Sequence, residues 1–333
     1  MKKTFGLPRV ILILFIFISL VAKADTETIR SEAILPLLTV VDKSHDKSIL
    51  GGLLFYDKRL SKNSAIACAS CHDLQKGGVD GFERSIGFNG ARGDTNTPSV
   101  FNSSFNFRQF WNGRAKTLEE QVDGPVHHPN EMGSDWSEVV NKLNLDEKTK
   151  KNFKKIYPTG ITSTNIKNAI AHFERQLVTV NSAFDRFLLG EQEALSAIEK
   201  TGYERFKSFG CIACHQGTNV GGNMFQTMGV MGNYFKDRNT PITDADLGRF
   251  VITKDDKDKH LFRVPSLRNV AQTAPYFHDG SAKTLDRAIE IMAKYQLGRK
   301  LSKEEIDSIV AFLKTLSGPT PPIVEQVLKE IFP

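Results

Sequence analysis

The residues best suited to chemistry in this 333-residue sequence are four cysteines, which form two identical patterns: Cys68-Ala-Ser-Cys71-His72 and Cys211-Ile-Ala-Cys214-His215. C-x-x-C-H is the attachment pattern of a c-type haem. The two cysteines add to haem vinyl groups as thioethers, and the adjacent histidine coordinates the iron. A redox C-x-x-C would need a βαβ context that this sequence lacks, and zinc would leave the repeated histidine unexplained. Four cysteines are also too few for a disulfide scaffold of this length. The cysteine count is therefore read as a cofactor count of two covalently bound haem c.

With His72 and His215 on the proximal sides, the sixth iron position decides function. A Met or His there makes an electron-transfer haem; an open position makes a catalyst. A second repeat bears on this choice. Pro98, Ser99, Asn102, Gly113, Ala115, Lys116, Thr117 and Leu118 all recur 167 positions later, the mark of internal duplication. The same offset maps Pro125 onto Met292. A thioether can ligate iron and proline cannot. Met292 also lies at an apolar helical position, so ligand and core packing both stand, with Met224, Met228 and Met231 as rival ligands.

The elements that must position these groups read as helical. Ser302 and Glu305 form a capping box ahead of Ile306, Ile309, Val310 and Leu313, and Gly318-Pro319 supplies a stop. Residues 163–180 carry the same period through Ile166, Ile170, Phe173 and Leu177. The expected fold class is mainly α, as two cytochrome c-like haem domains related by internal duplication. They span 25–181 and 182–317, and residues 318–333 form one more short helix packing back on the first. The second half carries about 24 extra residues between its haem motif and the repeat, so the Gly- and Met-rich stretch 217–260 is expected to be a surface loop.

Composition is that of ordinary folded protein, at 40% hydrophobic and 25% charged, which excludes low complexity, collagen and general disorder. The N-terminus reads as an export signal. Lys2, Lys3 and Arg9 precede an apolar run over 10–22, and Ala22-Lys23-Ala24 offers a cleavage site, placing the mature protein in the periplasm. That run is too short for a stable membrane anchor. Its removal lowers the formal charge from +6 to about +2, so the basic-partner reading goes with it. Lys148, Lys150, Lys151, Lys154 and Lys155 read as a solvated helix face. No nucleic-acid motif is present.

Together with the two haem motifs, Gln109-Phe-Trp-Asn-Gly-Arg-Ala115, Gly124-Pro-Val-His-His-Pro-Asn-Glu-Met-Gly133, Val264-Pro-Ser-Leu-Arg-Asn269 and Tyr276-Phe-His-Asp-Gly280 carry a resemblance. The sequence resembles the bacterial dihaem cytochrome c peroxidases over nearly all of the mature chain. The resemblance implies that hydrogen peroxide is reduced at a low-potential haem on Cys68, Cys71 and His72. Electrons from a small cytochrome c or cupredoxin would enter at a high-potential haem on Cys211, Cys214, His215 and Met292. It further implies Trp111 as a relay between the haems, and Glu131 and Gln121 in the distal pocket, where a carboxylate can move a proton between the peroxide oxygens. A calcium ion held by Asn96 and the carbonyls of Thr273 and Pro275 is implied as well, and so is a homodimer.

One position departs from the family pattern. Many members carry a distal histidine sixteen residues after the proximal one, and here that residue is Phe88. The first iron is accordingly expected to be five-coordinate or water-bound when oxidised, with His127 and His128 the nearest alternative ligands. Two other functions are weighed against the peroxidase. A dihaem oxidase that builds quinone cofactors on a partner protein uses a tyrosine where Met292 stands. A dihaem electron carrier has no use for Glu131, Gln121 and the Pro125 vacancy.

Overall fold

The computed structural model describes residues 32–39 and 41–332, so the expected signal peptide at 1–24 lies outside the described residues. The described chain is mainly helical. Its first half is built from α1 (His45–Phe55), α2 (Leu118–His127), α3 (Trp136–Asn144), α4 (Glu147–Ile156) and α5 (Ser163–Glu174). Thr117, Asp135, Asp146 and Thr162 start four of these helices, each side chain accepting a backbone N–H of the first turn. On α5 the apolar period buries Ile166, Ile170 and Phe173. On α4 only Thr149 and Phe153 are buried, which leaves the lysines solvated. Gly51 lets α1 and α5 cross closely: a Cβ there would lie 2.0 Å from the Ala169 carbonyl oxygen and 2.8 Å from Phe173 Cβ.

The second half is built from α6 (Ala183–Leu188), α7 (Ala197–Ser208), α8 (Leu285–Leu297) and α9 (Lys303–Lys314). The Ser302–Glu305 capping box is formed, and Ile306, Ile309 and Leu313 are buried. The crossing glycine is now Gly202, whose Cβ would meet the Ser308 carbonyl oxygen at 1.9 Å and Phe312 Cβ at 2.9 Å. Backbone conformations recur at the 167-residue offset. Asn102 and Asn269 both adopt φ 60°, Phe110 and Phe277 adopt 69° and 72°, and Gly113 and Gly280 adopt 67° and 66°. Gln109 bridges to Ala115 as Tyr276 does to Ala282. The side-chain amides of Asn102 and Asn269 both donate to the Thr179 hydroxyl, at 2.9 and 3.0 Å, and so join the halves.

Both ends of the described chain cross to the opposite half. Ile34 is fully buried among Phe184, Tyr203 and Phe312 of the second core. The last helix, α10 (Pro322–Ile331), inserts Ile323, Val324 and Val327 into the first core. A buried ion pair, Arg268 to Asp185 at 2.7 Å, holds the N-terminal strap: Arg268 donates to the Leu35 carbonyl, and Asp185 accepts from the Leu37 N–H.

The stretch 217–260 is not the plain surface loop expected of it. It contributes β1 (Phe225–Thr227), antiparallel to β2 (Leu261–Arg263), and a helical turn at Tyr234–Arg238. Tyr234 and Phe235 are each only 4% exposed and pack with Ala288, Ile291 and Tyr295 in a third hydrophobic cluster. The glycines and methionines suggested a loop, but two adjacent aromatic rings supply enough apolar surface to pull the segment inward.

Candidate active site

The first C-x-x-C-H motif opens into a cavity of about 550 Å³, within the range of a cofactor site. Cys68 and Cys71 sit on one helical turn in its wall without forming a disulfide, and His72 lies beside them. The His72 Nδ1 lies 3.2 Å from the Gly78 carbonyl oxygen, which leaves Nε2 as the ring nitrogen free to coordinate. Burial pushes the His72 pKa down, so the ring is held neutral, as a ligand must be.

The same cavity collects the distal residues. Gln121 and Pro125 reach it from α2, and Glu131 reaches it from the turn that follows. That turn is folded by three backbone bonds: the N–H groups of Glu131 and Gly133 donate to the His128 carbonyl, and Met132 N–H donates to Pro125. Burial pushes the Glu131 pKa up, against the lowering influence of His128 and Arg114. His128 Nδ1 lies 3.9 Å from the Glu131 carboxylate, and its Nε2 lies 3.3 Å from Asp94. Arg114 lines the cavity with its guanidinium 3.3 Å from the Phe110 ring centre.

Phe88 does not line this cavity among the residues that do. Its ring faces Gly133 and its N–H donates to the Glu131 carbonyl at 2.6 Å. Gly87 makes the approach possible, because a Cβ there would lie 2.1 Å from the Asn130 carbonyl oxygen. His127 is exposed, its ring edge-on to Trp136, whereas His128 does border the cavity.

The cavity suits a haem on grounds independent of its cysteines. Arg263, only 3% exposed, enters from the second half and borders it. Its donors go to the Asn106 side-chain oxygen at 3.1 Å and to the carbonyls of Phe110 and Val264 at 3.3 and 3.4 Å, with no carboxylate partner among the described residues. Burial pushes its pKa down to about 10. A buried cation lacking an acid is what haem propionates would complement.

In the second motif, Cys211 and Cys214 lie half-buried and form no disulfide. His215 is neutral, its pKa pushed down to about 4 by burial. Its Nδ1 is buried and lacks a hydrogen-bond partner. Met292 lies half-buried on α8, and Met231 is 61% exposed beside Gly298, where that helix ends. Trp111 lies where the first cavity meets the third hydrophobic cluster. It borders the first cavity, donates from Nε1 to the Asn96 carbonyl at 2.9 Å, and packs against the third cluster edge-on to His278. Asn96 is buried at the same junction, its N–H on the His278 carbonyl and its side-chain amide on that of Phe82. Thr273 and Pro275 lie on the segment after Asn269, away from the first cavity's lining. The His and acid cluster with metal-like spacing is a different one, Asp246, His278 and Asp279, and Arg238 already neutralises it.

A helical frame carrying two C-x-x-C-H motifs, one opening into a cavity with a carboxylate, an amide and cations, defines a dihaem oxidoreductase. The chain belongs to the di-haem cytochrome c peroxidase family, whose pattern matches residues 45–193. It is 46% identical to cytochrome c peroxidase Ccp of Escherichia coli over 89% of its length and spans 63% of that relative. Against cytochrome c551 peroxidase of Nitrosomonas europaea it is 45% identical over 87% of this chain and 86% of the relative. Identity to the methylamine utilization protein MauG of Methylophilus methylotrophus is 30% over 82% of this chain and 83% of that one, so the peroxidase reading holds over the oxidase alternative. Among solved structures, a MauG-like protein associated with microbial copper homeostasis superposes with a TM-score of 0.76 at 29% identity, covering 97% of this chain and 99% of that one.

Sequence reasoning missed Arg263, Arg114 and Glu174, all of which border the first cavity. The two arginines sat inside or beside motifs already singled out. Glu174 carried a signal of its own, since it falls on the apolar stripe of Ile170 and Leu177.

Proposed function

We propose that this protein reduces hydrogen peroxide to two waters in the periplasm, taking two electrons one at a time from a small cytochrome c or cupredoxin. Two covalent haem c groups would serve it, in duplicated domains spanning 25–181 and 182–317. The observation that carries this reading is the convergence of His72, Gln121, Pro125 and Glu131 on one cavity. The repeated backbone conformations at the 167-residue offset support the duplication.

When bound, the haem iron supplies the redox chemistry of O–O cleavage. The chain's own residues do the rest. Glu131 takes the proton from the inner peroxide oxygen and returns it to the outer one, so that water leaves. Gln121 orients the peroxide, and His128 and Arg114 favour the ionised form of Glu131. Trp111, which touches both the first cavity and the third cluster, relays the electron. Met292 would hold the second haem through its thioether, a ligand that would raise that haem's potential.

Phe88 has no atom that could bind iron, so the first haem would be open in the oxidised protein and would need no reductive activation. The packing of Phe88 on Gly133 and its bond to the Glu131 carbonyl support this, because they hold the distal turn in place from the outset. Two low-spin haems and no high-spin signal in the spin-resonance spectrum of the all-ferric protein would overturn it. The same reading keeps Asn96, with the Thr273 and Pro275 carbonyls, as a calcium site. It also includes a homodimer.

The central test is Glu131→Gln. Removal of a proton-transfer group is expected to lower peroxide turnover by about 10²–10⁴-fold while both haem spectra stay intact. Undiminished turnover would remove Glu131 from the mechanism.

A further inference from the structure

Glu174 is the last residue of α5 and borders the first cavity at 5% exposure. Its Oε2 is buried and has no hydrogen-bond partner. The neighbouring Arg175 does not serve it, because that guanidinium turns away to grip Glu119 at 2.8 and 2.9 Å. An unpartnered buried carboxyl is costly unless it has work to do. The second half has no such group. Phe173 and Leu177 correspond to Phe312 and Leu316 through the matching helix crossings and the matching bonds to Asn102 and Asn269, which places Leu313 opposite Glu174. Leu313 is buried and apolar.

We infer that Glu174 is a redox-linked proton acceptor of the first haem site, taking up one proton from solvent for each electron that enters that cavity and releasing it when the electron leaves. This rests on the reading of the cavity as a haem site. The balance is simple. One electron arrives from the donor through the second haem, one proton converts the Glu174 carboxylate to the acid, and the cavity's net charge is unchanged. A ferric haem is one charge more positive than a ferrous one, so the oxidised site favours the carboxylate and the reduced site favours the acid.

The surroundings permit this coupling in the accessible pH range. Burial, helped by Glu119 and opposed by Arg175, pushes the Glu174 pKa up to about 8. The charged groups acting on it are Arg175 beside it and Glu119 on α2, which are paired to each other, and Lys47 on α1 lies within the influence of that pair. Cys68 also faces it, but its thiol is consumed by thioether attachment. The same cavity is also lined by Glu131, His128, Asp94, Asp244 and the cations Arg84, Arg114 and Arg263. Glu131 is the one whose titration could be confused with Glu174, and it therefore needs its own control.

The test uses the holoenzyme, first shown to carry two haems by its pyridine haemochrome spectrum, which separates failure of the haem reading from failure of this one. The midpoint potential of the first haem is followed from pH 5.5 to 9 by spectroelectrochemistry, and proton uptake on reduction is measured with an indicator dye. Wild type is expected to show a reduction equilibrium changing up to tenfold per pH unit, which is 59 mV per unit for one electron. Glu174→Gln should flatten that slope, as should Glu174→Leu, which copies the second half, whereas Glu174→Asp and Glu131→Gln should keep it. The second haem's potential should not move. A wild type whose first-haem potential is independent of pH and that takes up no proton would overturn the inference without any variant. An unchanged slope in Glu174→Gln would overturn it equally.

Discussion

The two halves share a frame and differ at a few positions facing the haem sites. Asn102 and Asn269 have the same backbone conformation and donate to the same Thr179 hydroxyl, and Gly51 and Gly202 make the same close crossing. The difference begins after the paired helices α2 and α8. In the first half α2 ends at His127, two residues past Pro125, and the chain turns through 128–133 to bring Glu131 back over the cavity. In the second, Met292 replaces that proline, and α8 runs on to Leu297 before Gly298 caps it in a left-handed conformation. Gly298 stands where the 167-residue offset would place Glu131. The first half thus carries a turn that presents a carboxylate to the cavity and the second an uninterrupted helix bearing a thioether, the difference on which the proposed division between catalysis and electron supply rests.

The largest stability difference should come from a device that only the second half has. Arg268 occupies the position of Phe101, and its pair with Asp185 is fully buried. Removing one partner leaves an uncompensated charge, so Asp185→Ala is expected to destabilise the fold by about 3–5 kcal/mol in denaturant titration. Release of the 35–37 strap should show as local hydrogen exchange. A loss under about 1 kcal/mol would mean that the strap is not held there. The crossing glycines come next and should behave alike. Gly51→Ala and Gly202→Ala each force a methyl against a carbonyl oxygen, and a cost of about 1–3 kcal/mol is expected from either. Tolerance at one and not the other would break the equivalence of the halves.

Much of this comparison was legible in the sequence because its strongest signals are local. C-x-x-C-H fixes a turn and a ligand within five residues, and Ser302 to Glu305 is a capping box that the structure forms as read. The pairing of Pro125 with Met292 needed only a constant offset. What escaped was set by packing between distant segments. The aromatic pair Tyr234 and Phe235 gave no periodic pattern, yet it builds a third cluster with α8. Arg263 reads as an ordinary surface cation until β2 carries it under the first cavity. Ile34 looked like part of the first domain, and only the strap bonds show that it belongs to the second core.

Met292→His tests the assignment of the second haem. A histidine ligand donates more strongly than a thioether, so the second haem's potential should fall while the first haem's spectrum is unaffected. An unchanged potential would transfer the ligand role to Met224, Met228 or Met231. The exposure of Met231 makes it a weak competitor, because solvent would reach a thioether–iron bond there.

The smallest expected effect is a displacement on the pH axis, and it bears on the turn that distinguishes the first half. In the proposed mechanism Glu131 must be ionised to accept the peroxide proton, and burial raises its pKa above the ordinary carboxylate value of 4.5. The folded protein therefore loses the active base as pH falls through that raised value, and the acid limb of kcat/KM should lie above 4.5. His128 and Arg114 oppose the shift, so removing their influence should move the limb further up. Arg114→Gln is the cleaner of the two, because the His128 ring also faces Asp94 at 3.3 Å and its removal would leave that second carboxylate acting on Glu131. An acid limb that stays in place in Arg114→Gln, with Glu131→Gln inactive, would show that Arg114 does not tune Glu131 and that the cation serves substrate or haem instead.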